Sequence, residues 1–272
     1  MLLPRLLTMF VGIPLLAFLI HLGSLPFMAL VIGVVLLALY EYALILWVGG
    51  RGVQRWMTVA AGGFLATVVI LQAPRLDGLG TGALLPLSIT GVVLAVCLRE
   101  LLRKEHSLDR AALSLLGVFF IGWTLAHLAL LRDLRPYGER FTFFLFLTVW
   151  VVDIAAYAAG HAVGSRRLAP VISPKKTWEG AVAGFAAAVL WSLLAHRWFL
   201  GGAFGLRTTL LLGAAIGLLS QASDLAQSLI KRTAGVKDSS SILPGHGGIL
   251  DRFDSFLLTA PAMYYAVLLI SP

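Results

Sequence analysis

The chain has 272 residues, 59% of them apolar and 12% charged, with a mean hydropathy of +0.92. The apolar residues run continuously instead of alternating, which excludes both a soluble domain and an outer-membrane β-barrel. The formal charge of +8 is not laid out as a basic stripe interleaved with aromatics on a soluble segment. Nucleic acid is therefore not an expected partner, and cytoplasmic loops facing anionic lipid headgroups account for the charge.

In chain order, nine apolar segments predict an all-α, polytopic membrane protein, at 6–20, 25–48, 57–73, 83–98, 111–131, 141–161, 178–199, 208–230 and 253–270. Each approaches the roughly 20 residues that cross ~30 Å of hydrocarbon, the first and fourth being short. The first follows Arg5 like a signal-peptide core, but it lacks a small-x-small cleavage site and runs almost straight into the second. It is therefore retained as a helix, with a kink expected at Pro14. Cys97, the single cysteine, has no disulfide or thiolate partner and is expected as a buried small residue.

Lys and Arg are unevenly shared between the two sides. Fifteen of the 21 fall at Arg5 and in the connections around 51–55, 99–110, 166–176 and 231–252, leaving six on the opposite side. This asymmetry places the N-terminus and the 231–252 connection in the cytoplasm. The expected organisation is one integral membrane unit: N-terminal helices over 1–140, then a catalytic region over 141–272 with cytoplasmic loops at 162–177 and 231–252. A short chain with little beyond its spans fits a bacterial plasma membrane. No internal repeat is visible, which counts against a transporter built from inverted halves.

Ionisable residues within spans need a reason, since a charge at the bilayer centre costs about 2.5–3.5 kcal/mol on insertion scales. Glu41, toward the cytoplasmic end of the second span, reads equally as a snorkelling or paired acid and as a functional one. Asp153 is followed at helical spacing by Tyr157, Gly160 and Gly164, placing an acid, a phenol and two small residues on one face. The glycines alone read as a helix contact; with Asp153 beside them, a polar cavity is the favoured reading. In the eighth span Ser220, Ser223, Asp224, Gln227, Ser228 and Lys231 recur every three or four residues, a polar stripe on a Leu- and Ala-rich helix. Such a stripe can bind a neighbouring helix, but it leads directly into a loop rich in Lys, Arg, Asp and His, which favours a catalytic cavity open to the cytosol.

Two loops supply the remaining chemistry. The first carries Ser173, Lys175, Lys176 and Thr177 just before the helix at Trp178, where free N–H groups and the helix dipole favour phosphate. The second contains Pro244 to Gly248, PGHGG, whose glycines permit close backbone approach to a ligand. Asp251, Arg252 and Asp254 follow at once. Asp224 and Asp251 are expected to flank this loop from two helices. Hard carboxylate oxygens together with substrate phosphate oxygens are what Mg²⁺ prefers, and no His/Cys spacing suits zinc.

From Ser228 to Asp254 the run SLIKRTAGVKDSSSILPGHGGILDRFD resembles the hallmark motif of the CDP-diacylglycerol synthase family, also called phosphatidate cytidylyltransferases. DIAAYAAG from Asp153 and ISPKKTWEG from Ile172 resemble that family too, in the expected order. The resemblance is specific over the C-terminal half; the N-terminal half matches only as apolar helices. It implies attack of the phosphate of phosphatidic acid on the α-phosphorus of CTP, giving CDP-diacylglycerol and pyrophosphate. It likewise implies Asp224 and Asp251 as Mg²⁺ ligands, with Asp254 a third candidate and a second metal ion open. Lys231, Arg232, Lys237 and Arg252 would then neutralise phosphates, and Ser173, Lys175, Lys176 and Thr177 would form the facing wall. Asp238 and His246 would orient Lys237 or serve the leaving pyrophosphate. Ser228, Gly247, Gly248, Asp153 and Tyr157 would complete the substrate site. A homodimer is also implied.

Two other classes fit less well. A CDP-alcohol phosphotransferase needs a clustered multi-aspartate motif that is absent from the sequence. A cation-coupled transporter, with Glu41, Asp153 and Asp224 as midplane charges, has no need of the PGHGG loop.

Overall fold

In hydrocarbon a backbone amide finds no water, so continuous apolar runs coil into helices that satisfy their own N–H and C=O groups. The structure is a computed structural model, and it describes residues 2–71, 83–236 and 247–270. Its helices are α1 (Leu2–Leu22), α2 (Ser24–Val48), α3 (Arg55–Leu71), α4 (Leu84–Leu101), α5 (Leu108–Gly117), α6 (Thr124–Asp133), α7 (Gly138–Ala162), α8 (Trp178–Ala195), α9 (Leu206–Thr233), α10 (Leu250–Phe253) and α11 (Phe256–Ile270). A π-helical turn, Val118–Trp123, joins α5 to α6, and a second, His196–Leu200, extends α8.

Among the described residues, seven helical segments are long and apolar enough to cross a membrane, and the protein is a mostly helical membrane protein. The count of nine expected from the sequence is not reached by this measure. The expected segments at 6–20 and 57–73 lie in α1 (Leu2–Leu22) and α3 (Arg55–Leu71), which are not among the seven. The all-α expectation also needs one addition. Strands β1 (Arg167–Ala169) and β2 (Ser173–Thr177) pair antiparallel, Arg167 opposite Thr177 and Ala169 opposite Ser173, with an irregularity between the two pairs.

The residues fall into two compact units, the first comprising Met1–Asp133 and Lys231–Phe253, the second Leu134–Ile230 and Asp254–Pro272. In the first unit α2 is the central helix, its Val35, Ala38, Leu39, Tyr42 and Ala43 fully buried. Glycines let its neighbours close in. A Cβ at Gly63 would come 2.5 Å from Leu36 of α2, and one at Gly122 would come 2.9 Å from the Gly62 carbonyl of α3. Several polar residues are paired in the same unit. Glu100 accepts from Arg110, from Gln54 at 2.8 Å and from the Ser107 amide at 2.9 Å, tying the α4–α5 connection together. Arg132 donates to the carbonyls of Ile20 and His21, which close the last turn of α1.

The second unit is built on small-residue contacts as well. A Cβ at Gly180 of α8 would lie 2.6 Å from the Ala156 carbonyl of α7, and one at Gly184 would lie 3.1 Å from the Val152 carbonyl. Gly213 and Gly217 bring α9 against Ser192 and Ala188 of α8. Phe146 of α7 meets Phe256 of α11 at 4.4 Å between ring centroids.

Cys97 corrects the sequence reading: it is exposed on α4, on the same helix as exposed Leu94, Leu98 and Leu101. In a membrane helix both the lipid-facing and the packed sides are apolar, so an apolar run does not say which side a small residue occupies.

Candidate active site

The second unit positions Asp224 and the loop before α8. Thr177 ends β2 with extended φ/ψ, and its Oγ1 accepts the Gly180 N–H at 3.2 Å, an N-cap that starts α8 one residue later. Glu179 in the first helical turn accepts from the Ser165 hydroxyl at 2.6 Å and the Arg166 amide at 3.2 Å, pulling the start of the loop back to its end. The sequence reading assigned Glu179 no role. Its signal was an acid beside a helix start, where the macrodipole also favours it.

Within this frame Lys176 Nζ meets Asp224 Oδ2 at 2.6 Å, with the two side chains 27% and 30% exposed. Asp224 Oδ1 also accepts from Ser228 at 3.3 Å, one turn on. The hairpin and α9 are thus joined by an ion pair open to water. Lys175 is exposed and Ser173 half-buried beside it.

The polar stripe of α9 points inward, Ser220, Ser223 and Gln227 being buried. Ser223 donates to the Asp254 carbonyl and accepts the Leu258 N–H at 3.2 Å, so that it caps the first turn of α11. Part of the stripe therefore binds a neighbouring helix, and part carries the acid. Asp254 Oδ1 accepts the Ser255 N–H at 2.7 Å. Asp153 is exposed on α7, and Tyr157, 77% exposed, stacks on His161 with ring centroids 6.1 Å apart. Gly160 faces Thr177 and Gly180, as its helix-contact reading requires.

The first unit holds the other cluster. Lys231 Nζ meets Asp251 Oδ1 at 2.8 Å, and these side chains are only 14% and 16% exposed. With less water around it, this pair attracts more strongly than the Lys176 pair. Lys231 and Arg232 occupy the last turn of α9, where cations suit the helix dipole. Arg232 and Arg252 are exposed. Gly247 has φ +81°, which L side chains rarely adopt, and Gly248 is buried next to it. Glu41 is fully buried and accepts the amides of Ile249 at 2.9 Å and Leu250 at 2.8 Å. The open question at Glu41 is thereby answered in part: it is a paired acid, and main-chain amides of the motif are among its partners. Lys237, Asp238 and His246 lie outside the described residues.

Among the described residues no group of three or more His, Cys, Asp or Glu side chains is gathered closely enough to hold a metal ion. Asp224 and Asp251 each offer hard carboxylate oxygens, and each is paired with a lysine.

The structure is thus that of a mostly helical membrane protein carrying two Lys–Asp pairs that differ in their access to water. The comparison with known proteins is more specific: the chain belongs to the Cytidylyltransferase family, whose profile matches residues 3–270. A Synechocystis protein named phosphatidate cytidylyltransferase is 34% identical over 98% of this chain and 97% of its own length. One of the same name from Bacillus subtilis is 35% identical over 68% of each chain. Another from Brucella suis is 45% identical over 149 residues; the match covers 54% of each chain, about half the length of that relative.

Proposed function

We propose that the protein is a membrane-bound phosphatidate cytidylyltransferase, making CDP-diacylglycerol and pyrophosphate from CTP and phosphatidic acid. The observation that carries this reading is the end-to-end match to a relative of that name, 98% of the chain, across the motifs that supply both Lys–Asp pairs.

In the proposed reaction a phosphate oxygen of phosphatidic acid forms a bond to the α-phosphorus of CTP, and the bond from that phosphorus to the bridging oxygen of the β-phosphate breaks. The nucleophile arrives already anionic, so no general base is needed; alignment and charge neutralisation are the main demands. Lys176 and Lys231 meet that demand by exchanging a carboxylate for a substrate phosphate, to which an ammonium donates in the same way. Arg232 and Arg252, exposed and next in sequence to Lys231 and Asp251, add positive charge for two polyanionic substrates. The Thr177 cap keeps Lys176 in place on β2, and the positive φ of Gly247 gives the chain its turn before Asp251.

Mg²⁺ fits the donor chemistry: Asp224 and Asp251 are oxygen donors, and phosphate oxygens of a nucleotide are its usual remaining ligands. Bound there, it would withdraw charge from the triphosphate and stabilise the departing pyrophosphate. Asp254, one oxygen of which holds the Ser255 amide, is a weaker candidate. The same reading includes nine spans, a cytoplasmic N-terminus and active site, a bacterial plasma membrane and a homodimer. The Lys and Arg asymmetry of the loops supports the orientation.

The test is transfer of label from radioactive CTP to the organic phase by purified protein with phosphatidic acid and Mg²⁺. Label should enter lipid, stop on addition of EDTA, return with excess Mg²⁺, and be lost in Asp224→Asn and Asp251→Asn. No label with any divalent ion tried would refute the reaction, whereas full activity in either variant would refute that aspartate's role.

A further inference from the structure

Glu41 lies in α2, fully buried, and two of its partners are 208 and 209 residues away along the chain. One carboxylate oxygen takes the N–H of Ile249 and the other that of Leu250. These amides stand at the start of α10, where a helix has no acceptors of its own. Asp251 follows at once and meets Lys231 at 2.8 Å. Eight residues further along α2, about 12 Å at ~1.5 Å per residue, Gly49 lies against Ala234, where a Cβ would come 2.7 Å from the Ala234 Cα. Helix α2 therefore grips the motif at two points, one shortly after Lys231 and one immediately before Asp251.

An acid that needed only a counter-charge could take any cation within reach. Two successive main-chain amides, one to each oxygen, do more: they fix the direction in which the backbone enters Asp251. We infer that Glu41 is a positioning residue, setting the backbone from which Asp251 meets Lys231. This deepens the function proposed above, on which its catalytic consequence rests. Fully buried, Glu41 has no exposed surface to offer a substrate. Glutamine has nearly its shape but turns an NH₂ group toward one of the two amides, so one bond is replaced by a donor–donor conflict.

The experiment combines amide hydrogen exchange, read by mass spectrometry on the intact protein in detergent, with steady-state kinetics for wild type, Glu41→Gln and Glu41→Asp. In Glu41→Gln, exchange over 247–253 should quicken about tenfold or more while α3 and α7 keep their wild-type rates. Its kcat should fall about tenfold or more, with the KM for phosphatidic acid within about twofold. Glu41→Asp keeps both acceptor oxygens, one methylene short, and should fall between the two; if Glu41→Gln does not fold, Glu41→Asp is read against wild type in the same way. Unchanged exchange over 247–253 overturns the inference, as does faster exchange there with unchanged kcat. Uniformly faster exchange with a matching drop in Tm also overturns it, since Glu41 would then be a general stabilising group. The exchange measurement does not need the proposed reaction: wild-type protein that labels no lipid, with exchange over 247–253 still responding to Glu41→Gln, sinks the cytidylyl reading and leaves the positioning role standing.

Discussion

Lys176 and Lys231 each hold an aspartate, but water reaches the first pair about twice as well, with side chains 27% and 30% exposed against 14% and 16%. Screening decides what each contributes. Lys176→Met should cost less than about 1 kcal/mol of stability, as exposed pairs do. Lys231→Met leaves the Asp251 carboxylate without its amine where little water can replace it, and should cost about 1–3 kcal/mol. Thermal unfolding in one detergent gives the comparison; equal shifts would mean that the two pairs are equally solvated. Both variants should lose most activity, because the loss is of phosphate neutralisation and not of fold.

At the scale of the element, β2 and α8 meet at Thr177, and the cap is what turns a strand into a helix just after Lys176. Thr177→Val keeps the shape of the side chain but removes the acceptor for the Gly180 amide. It should destabilise the start of α8 by about 1 kcal/mol, seen as faster exchange at 178–181, and Thr177→Ser should restore it. The buried Thr177 side chain also packs on neighbouring glycines, its methyl facing Gly164 and its hydroxyl Gly160, so a change to a larger side chain would mix capping with packing. Helix α9 illustrates a related division of labour. Ser223 serves the first turn of α11, while Asp224, next along, pairs with the hairpin.

For the whole molecule, the testable quantity is which side of the membrane each connection occupies. Cys97 is exposed on an apolar helix, and its replacement by alanine should change stability by no more than about 0.5 kcal/mol. In that background, Lys104→Cys, in the α4–α5 connection, and Arg207→Cys, in the first turn of α9, place single thiols at exposed positions. An impermeant maleimide added to cells with the plasma membrane intact and its outer face accessible should label Arg207→Cys and reach Lys104→Cys only after that membrane is opened. The reverse pattern would invert the proposed topology and move the motif to the other face.

Helix positions and the chemistry of the motif were legible in the sequence because both rest on local patterns. A continuous apolar run has one way to hide its backbone, and Lys, Asp and Gly at fixed spacing carry their chemistry with them. Thr177 was placed just before the Trp178 helix by the sequence, as a phosphate-binding residue and not as its cap. The hairpin of 167–177 was not legible, because strands of three and five residues leave too little alternation to read, and Pro170 and Pro174 were the only turn signals. Sequence by itself determined that this is a helical membrane protein with a charged motif of the Cytidylyltransferase family. Tertiary structure alone decided which acid meets which base, that Cys97 lies on an exposed face, and that Glu41 reaches residues 249 and 250. The physical reason is that pairing depends on distances between segments far apart in the chain, and in a helix apolar on every side no sequence pattern records which side meets protein and which meets lipid.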